Sequence, residues 1–206
     1  MSALYWSGYT LSKLISKGIF RIRVYGRDNV PKTGGFILAP NHRSYYDPPI
    51  VGCWTRRKVY FMAKAELMKS GFGKAFFGQL YVIPVRRGTV DRNAQKLVLE
   101  AIGKGEGVTI FPEGTRSRTD GFLPPKPGIG LVAHLAKCPI VPAYLHGSDD
   151  LGKAFRGQKK MGIIYGEPIP AEWLESLPAE RESYLKIADE VMVRIRGLRE
   201  ELLEKL

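Results

Sequence analysis

The sequence predicts a single α/β domain, and three observations point there. Short runs rich in β-branched and aromatic residues alternate with segments of helical periodicity. The 206 residues are 44% hydrophobic and 25% charged, the balance of an ordinary globular chain. No internal repeat, low-complexity tract or long linker divides the chain. A chain of this length can bury a sizeable core without disulfides or a structural metal. Cys53 and Cys138 stand far apart with no metal-ligand spacing, and read as buried thiols in a reducing compartment.

Residues 1–18 place Leu4, Leu11 and Ile15 on one side of a helix, with Gly8 between them, aromatics at Tyr5, Trp6 and Tyr9, and Lys13 and Lys17 pointing elsewhere. This is the pattern of an amphipathic helix lying in a membrane interface. A helix packed on the domain's own core fits it too. The segment has neither the basic start nor the small-residue cleavage site of a secretory signal. No stretch of the chain reaches the ~18 consecutive apolar residues of a membrane-spanning helix.

Residues 19–206 are expected to form the domain. Strands are expected at 20–25, 35–38, 58–62, 81–85, 108–111, 140–145 and 162–165. Val90, Ala94, Leu97, Val98, Ala101 and Ile102 recur at helical spacing and predict a helix over 90–102, capped by Thr89 and stopped by Gly103 and Gly105. A second long helix is expected from Arg181 to the C-terminus, with Leu185, Ala188, Val191, Met192, Ile195 and Leu202 inward. Residues 67–85 mix aromatics with glycines and lysines, which suits core packing and, equally, the lining of an acyl-chain groove or docking on lipid with the lysines meeting headgroups.

The net charge is +12, and residues 171–206 hold only 6 of the 32 Lys and Arg against 9 of the 20 Asp and Glu, so the basic part is the first 170 residues. A positive body attracts phosphate in nucleic acid, in an anionic bilayer or in a small substrate. Nucleic acid is disfavoured: the chain has no zinc-finger, helix-turn-helix or RNA-binding pattern, and its aromatics sit in apolar runs.

Two polar runs directly follow apolar strands. In the first, residues 41–49 (NHRSYYDPP), Pro48 disfavours helical geometry at Asp47 and suits the start of a helix, so Asp47 is expected to cap one. A carboxylate at that turn can orient His42, leaving the other ring nitrogen to take a proton from a hydroxyl. A plain helix cap beside an ordinary loop histidine has the same spacing. The second run is residues 111–117 (FPEGTRS). Loops beyond strand C-termini are where α/β sheets bind ligands, glycine lets a backbone approach closely, and Arg116 carries a fork of donors suited to phosphate. An ion pair between Arg116 and Glu113 is the alternative. The glycine-rich run 103–107 follows a helix and precedes a strand, the reverse of a P-loop, and reads as a helix stop. His134 and His146 have no ligand-like spacing and read as structural.

Taken together, these runs resemble the motifs of the glycerolipid acyltransferases. The family's N-H-x-S-x-x-D is matched by Asn41, His42, Ser44 and Asp47, and its F-P-E-G-T-R-S by residues 111–117 in full. An apolar run ending in Arg resembles Ile83, Pro84, Val85, Arg86 and Arg87, with Arg87 at the family's Arg position and Arg86 where many relatives carry Asp. Lys126, Pro127 and Gly128 resemble the family's Lys-x-Gly, and Ile140, Val141, Pro142 and Ala143 its final apolar-Pro motif.

The resemblance implies a glycerol-3-phosphate acyltransferase-like fold with a mixed central sheet flanked by helices. It also implies an enzyme of phospholipid biosynthesis, peripheral on the cytoplasmic face of the cell membrane. Such an enzyme transfers a fatty acyl group from acyl-CoA or acyl carrier protein to the sn-2 hydroxyl of lysophosphatidic acid, giving phosphatidic acid. His42 would deprotonate the hydroxyl and Asp47 would orient His42. Arg87 and Arg116 would hold the acceptor's phosphate, with Glu113, Gly114, Thr115 and Lys126 completing its pocket. The implied partners are the thioester donor, the lysophospholipid and an anionic membrane surface; no metal or other cofactor is implied. Another lysophospholipid, a lyso-ornithine lipid or a glycolipid as acceptor fits the same motifs.

Overall fold

A computed structural model of the chain describes residues 2–86 and 91–206. Among them, seven strands form one sheet: β1 (Arg23–Tyr25), β2 (Phe36–Pro40), β3 (Val59–Lys64), β4 (Val82–Val85), β5 (Gly107–Thr109), β6 (Ile140–His146) and β7 (Gly162–Tyr165). Their order is β1-β7-β6-β2-β5-β3-β4. Every pairing is parallel except β6 with β7, so the sheet is mixed. The helices are α1 (Ala3–Gly18), α2 (Asp47–Gly52), α3 (Gly71–Gln79), α4 (Arg92–Gly103), α5 (Gly128–Ala136), α6 (Leu151–Phe155), α7 (Ala171–Glu175) and α8 (Arg181–Lys205).

Central β2 is buried at every position, as expected of an apolar strand covered on both faces. Its alternation divides the core. Ile37 and Ala39 pack with Val98 of α4, Ile129 of α5 and Val191 and Ile195 of α8, whereas Phe36 and Leu38 pack with Val51 of α2, Trp54 and Ile163. On the first face α5 and α8 approach so closely that a Cβ on Gly130 would lie 2.0 Å from the Tyr184 carbonyl oxygen, which makes glycine obligatory there.

Several elements differ from their sequence expectation. The first strand starts at Arg23 rather than residue 20, because Arg21 has φ 50° and Phe20 and Ile22 donate to Ile15 and Ser16 at the end of α1. β5 ends at Thr109, so Ile110 and Phe111 already belong to the following loop. α4 is capped by Asp91, whose carboxylate accepts from the Asn93 and Ala94 amides; the expected cap Thr89 lies outside the described residues. Leu97 of α4 faces solvent, and in α8 Ile187 takes the buried place expected of Leu185, which is only half-buried. Helices α3, α5, α6 and α7 have no counterpart among the sequence expectations.

α1 packs on the domain through one face, as the core-packing alternative expects, and leaves another exposed. It docks on the domain through Tyr5 and Ser16: the Tyr5 hydroxyl accepts from the Val59 amide at 3.0 Å, and the Ser16 hydroxyl accepts from the Trp54 indole at 3.1 Å. Leu11 and Leu14 are 58% and 65% exposed, and Ile15 and Ile19 are exposed beside them. No helix among the described residues is long and apolar enough to cross a membrane. Cys53 and Cys138 are free and buried, and burial pushes both thiols up to about 12.

Candidate active site

The two polar runs leave neighbouring parallel strands, β2 and β5, at the same edge of the sheet. Asp47 is the first residue of α2 rather than its cap. Tyr46 holds the cap position without a side-chain hydrogen bond, and the Asp47 carboxylate folds back over the preceding loop. Its Oδ2 accepts from the Arg43 amide at 2.6 Å and the Ser44 amide at 2.7 Å, and lies 2.8 Å from His42 Nδ1. Asp47 is 1% exposed, and while Oδ1 has no partner among the described residues, Oδ2 alone gathers the three donors that offset the buried charge. That contact places the proton of neutral His42 on Nδ1 and the lone pair on Nε2. The ring stacks on Phe111 with centroids 3.9 Å apart, and His42 lines the cavity beside it.

The backbone of His42 is held from the second run. Glu113 Oε1 accepts from the His42 amide at 2.9 Å, Glu113 Oε2 accepts from the Leu123 amide at 2.8 Å, and the Ser117 amide donates to the His42 carbonyl at 2.8 Å. Glu113 is 1% exposed; burial pushes its carboxyl up, and the Leu123 and His42 amides pull it partly back. Its carboxylate is thus taken up by the His42 and Leu123 amides; it forms no ion pair with Arg116 among the described residues and does not itself line the cavity. A carboxylate buried beside two amides satisfies them before it can reach solvent.

The cavity has a volume of about 1100 Å³. Of the residues singled out from sequence, His42, Gly114, Thr115, Arg116 and Lys126 line it together. Gly114 has φ 69°, and a Cβ there would come within 3.1 Å of Lys126 Cγ, so glycine lets the lysine lie along the loop. Arg116 stacks on Tyr45, its Cζ 3.4 Å from the ring centroid. Arg87 lies outside the described residues. Beyond the basic mouth the wall is apolar, with Phe61, Phe77, Leu80, Val98 and Ile129 among its residues.

Lys64, Arg118 and Tyr45 are among the cavity residues that sequence reasoning passed over. Lys64 closes β3, at the same sheet edge as the two polar runs. The strand-exit argument that singled out His42 applies to it equally, but the strand was expected to stop two residues sooner. His134 contacts the Leu174 carbonyl at 3.3 Å, away from the cavity, in keeping with a structural place.

A histidine tied to a buried carboxylate at the strand-exit edge of an α/β sheet has the geometry of a general base for a hydroxyl, and it faces a cavity lined by basic and apolar side chains. The chain belongs to the acyltransferase family, whose model, described as Acyltransferase, matches residues 21–146. The 1-acyl-sn-glycerol-3-phosphate acyltransferase of Bacillus subtilis is 30% identical over 182 residues, covering 88% of this chain and 89% of that protein. The human 1-acyl-sn-glycerol-3-phosphate acyltransferase alpha is 25% identical over 193 residues, covering 86% of this chain and 67% of that one. The crystal structure of the 1-acyl-sn-glycerophosphate (LPA) acyltransferase PlsC from Thermotoga maritima has the same fold, with a TM-score of 0.72 at 24% identity over 95% of this chain and 78% of that one.

Proposed function

We propose that this acyltransferase moves a fatty acyl group from a thioester of CoA or acyl carrier protein to the sn-2 hydroxyl of lysophosphatidic acid, giving phosphatidic acid. The observation that carries the reading is His42, held at Nδ1 by Asp47, on a cavity that combines basic side chains with an apolar interior. The names of the Bacillus subtilis and human relatives support the same acceptor.

In this scheme Nε2 of His42 takes the proton of the acceptor hydroxyl as its oxygen attacks the thioester carbonyl. The tetrahedral intermediate collapses, the C–S bond breaks, and the leaving thiolate takes the proton back from the imidazolium. Asp47 fixes the tautomer and stabilises the transient cation. General-base catalysis of this kind contributes ~10²–10⁴-fold. Arg116, Lys126 and the backbone around Gly114 and Thr115 receive the acceptor's phosphate, joined by Lys64 and, from the sequence motif, Arg87. Glu113 serves the site by holding the His42 backbone.

The test is thiol release from long-chain acyl-CoA with lysophosphatidic acid, with lysophosphatidylcholine and with no acceptor, followed by mass analysis of the lipid. Phosphatidic acid formed only with the first acceptor is expected. Equal use of lysophosphatidylcholine would move the reading to a broader lysophospholipid acyltransferase.

The chain is further proposed to work peripherally on the cytoplasmic face of the membrane, with residues 1–18 as its interfacial element. Support comes from the unpartnered Leu11, Leu14, Ile15 and Ile19 of α1 and from the +12 charge. Each basic side chain near an anionic surface adds ~1 kcal/mol. Because Leu11 and Leu14 face away from the domain, Leu11→Gln with Leu14→Gln should leave the melting temperature unchanged. The pair should still weaken sedimentation with anionic vesicles. Undiminished vesicle binding would place the docking surface elsewhere.

A further inference from the structure

The Tyr45–Arg116 stack joins exposed Tyr45 of the first site loop to the guanidinium of the second. Tyr45 is 76% exposed, so core packing does not set its position. Its backbone is set instead by its neighbours: the Ser44 amide donates to Asp47, and the Tyr46 amide donates to the Ser44 hydroxyl at 3.3 Å. The turn that orients His42 therefore also aims the Tyr45 ring. The Arg116 guanidinium lies over that ring with Cζ 3.4 Å from the centroid, and among the described residues no carboxylate pairs with it.

Stacking uses the flat face of a guanidinium and leaves its N–H groups, which radiate in the plane, free for an anion. Arg116 shares the cavity lining with Lys64, Arg118 and Lys126. We propose that Tyr45 is a positioning residue: it holds Arg116 so that the in-plane donors meet the acceptor's phosphate at a fixed distance from His42. The inference rests on the reading of this site as one that takes a phosphate-bearing acceptor.

Steady-state kinetics with lysophosphatidic acid and a long-chain acyl-CoA test it, using Tyr45→Ala, Tyr45→Phe, Arg116→Ala and the Tyr45→Ala, Arg116→Ala double variant. An exposed cation–π contact predicts that Tyr45→Ala raises the acceptor KM about two- to fivefold. The donor KM and kcat should stay near wild type. Tyr45→Phe, which keeps the ring and drops the hydroxyl, should restore the acceptor KM. In the Arg116→Ala background, loss of the ring should add nothing, since its only proposed partner is gone. Tyr45→Leu keeps the bulk without the π face and should behave as Tyr45→Ala, which supplies the readout if the alanine variant folds poorly. An unchanged acceptor KM, a matching rise in the donor KM, failure of phenylalanine to rescue, or full additivity in the double variant would each overturn the positioning role. A wild-type protein inactive toward lysophosphatidic acid would instead sink the functional reading and this proposal with it.

Discussion

The two site loops, residues 41–47 after β2 and residues 111–117 after β5, sit side by side and are built to opposite rules. In the first loop the polar side chains of Asn41, His42, Ser44 and Asp47 turn inward, while Tyr45 and Tyr46 stay exposed. The Asn41 side chain replaces a strand neighbour by accepting from the Leu145 amide at 2.8 Å and donating to the Leu145 carbonyl at 3.1 Å. Asp47 gathers two amides and the His42 ring. In the second loop only Glu113 and Ser117 turn inward, and Gly114 and Thr115 stand exposed at the cavity with Arg116 stacked beside them. A base that must meet a hydroxyl within hydrogen-bond reach needs a rigid support, whereas a phosphate can be met by longer cationic side chains. On the proposed reading, the difference separates a loop that performs chemistry from one that supports it from behind and receives charge in front.

His42→Ala should show the largest effect, a fall in kcat of ~10²–10⁴-fold with the fold intact, measured by thiol release and circular dichroism. Wild-type turnover in a folded His42→Ala protein would remove the distinction between the loops. Next in size, Arg116→Ala removes a charge-assisted pair worth ~1.5–3 kcal/mol, which corresponds to a roughly ten- to hundredfold rise in the acceptor KM. If the donor KM rises as much, the second loop is holding the thioester's phosphates instead. Glu113→Gln should act more modestly and differently. The amide keeps one acceptor but turns its NH2 toward the other buried backbone amide, an unsatisfied pair costing ~1–3 kcal/mol. For a chain of this size that lowers the melting temperature by about 2–4 °C per kcal/mol. Through the His42 backbone, kcat should fall while both KM values hold. A rise in the acceptor KM alone would put Glu113 back in the phosphate pocket.

Much of this protein is legible along the chain. Alternating strand and helix patterns announce the α/β class, because the period of apolar residues is a local property. The polar runs at strand exits mark the site, because ligands of such sheets gather at that edge. The closeness of His42 and Asp47 follows from a turn of five positions that one carboxylate can close. Other features needed tertiary structure. Glu113 meets the His42 amide across 71 positions of sequence only because the strand order sets β5 beside β2. Nothing in the run F-P-E-G-T-R-S says that its glutamate turns inward while its arginine turns onto Tyr45. The N-terminal helix shows the same limit from another side. Its pattern contains two usable faces, and packing against Trp54 and Val59 decided that Tyr5 and Ser16 dock while Leu11 and Leu14 stay outside. A sequence fixes which groups are available and how they repeat, whereas the partner each one finds depends on what the rest of the chain has already buried around it.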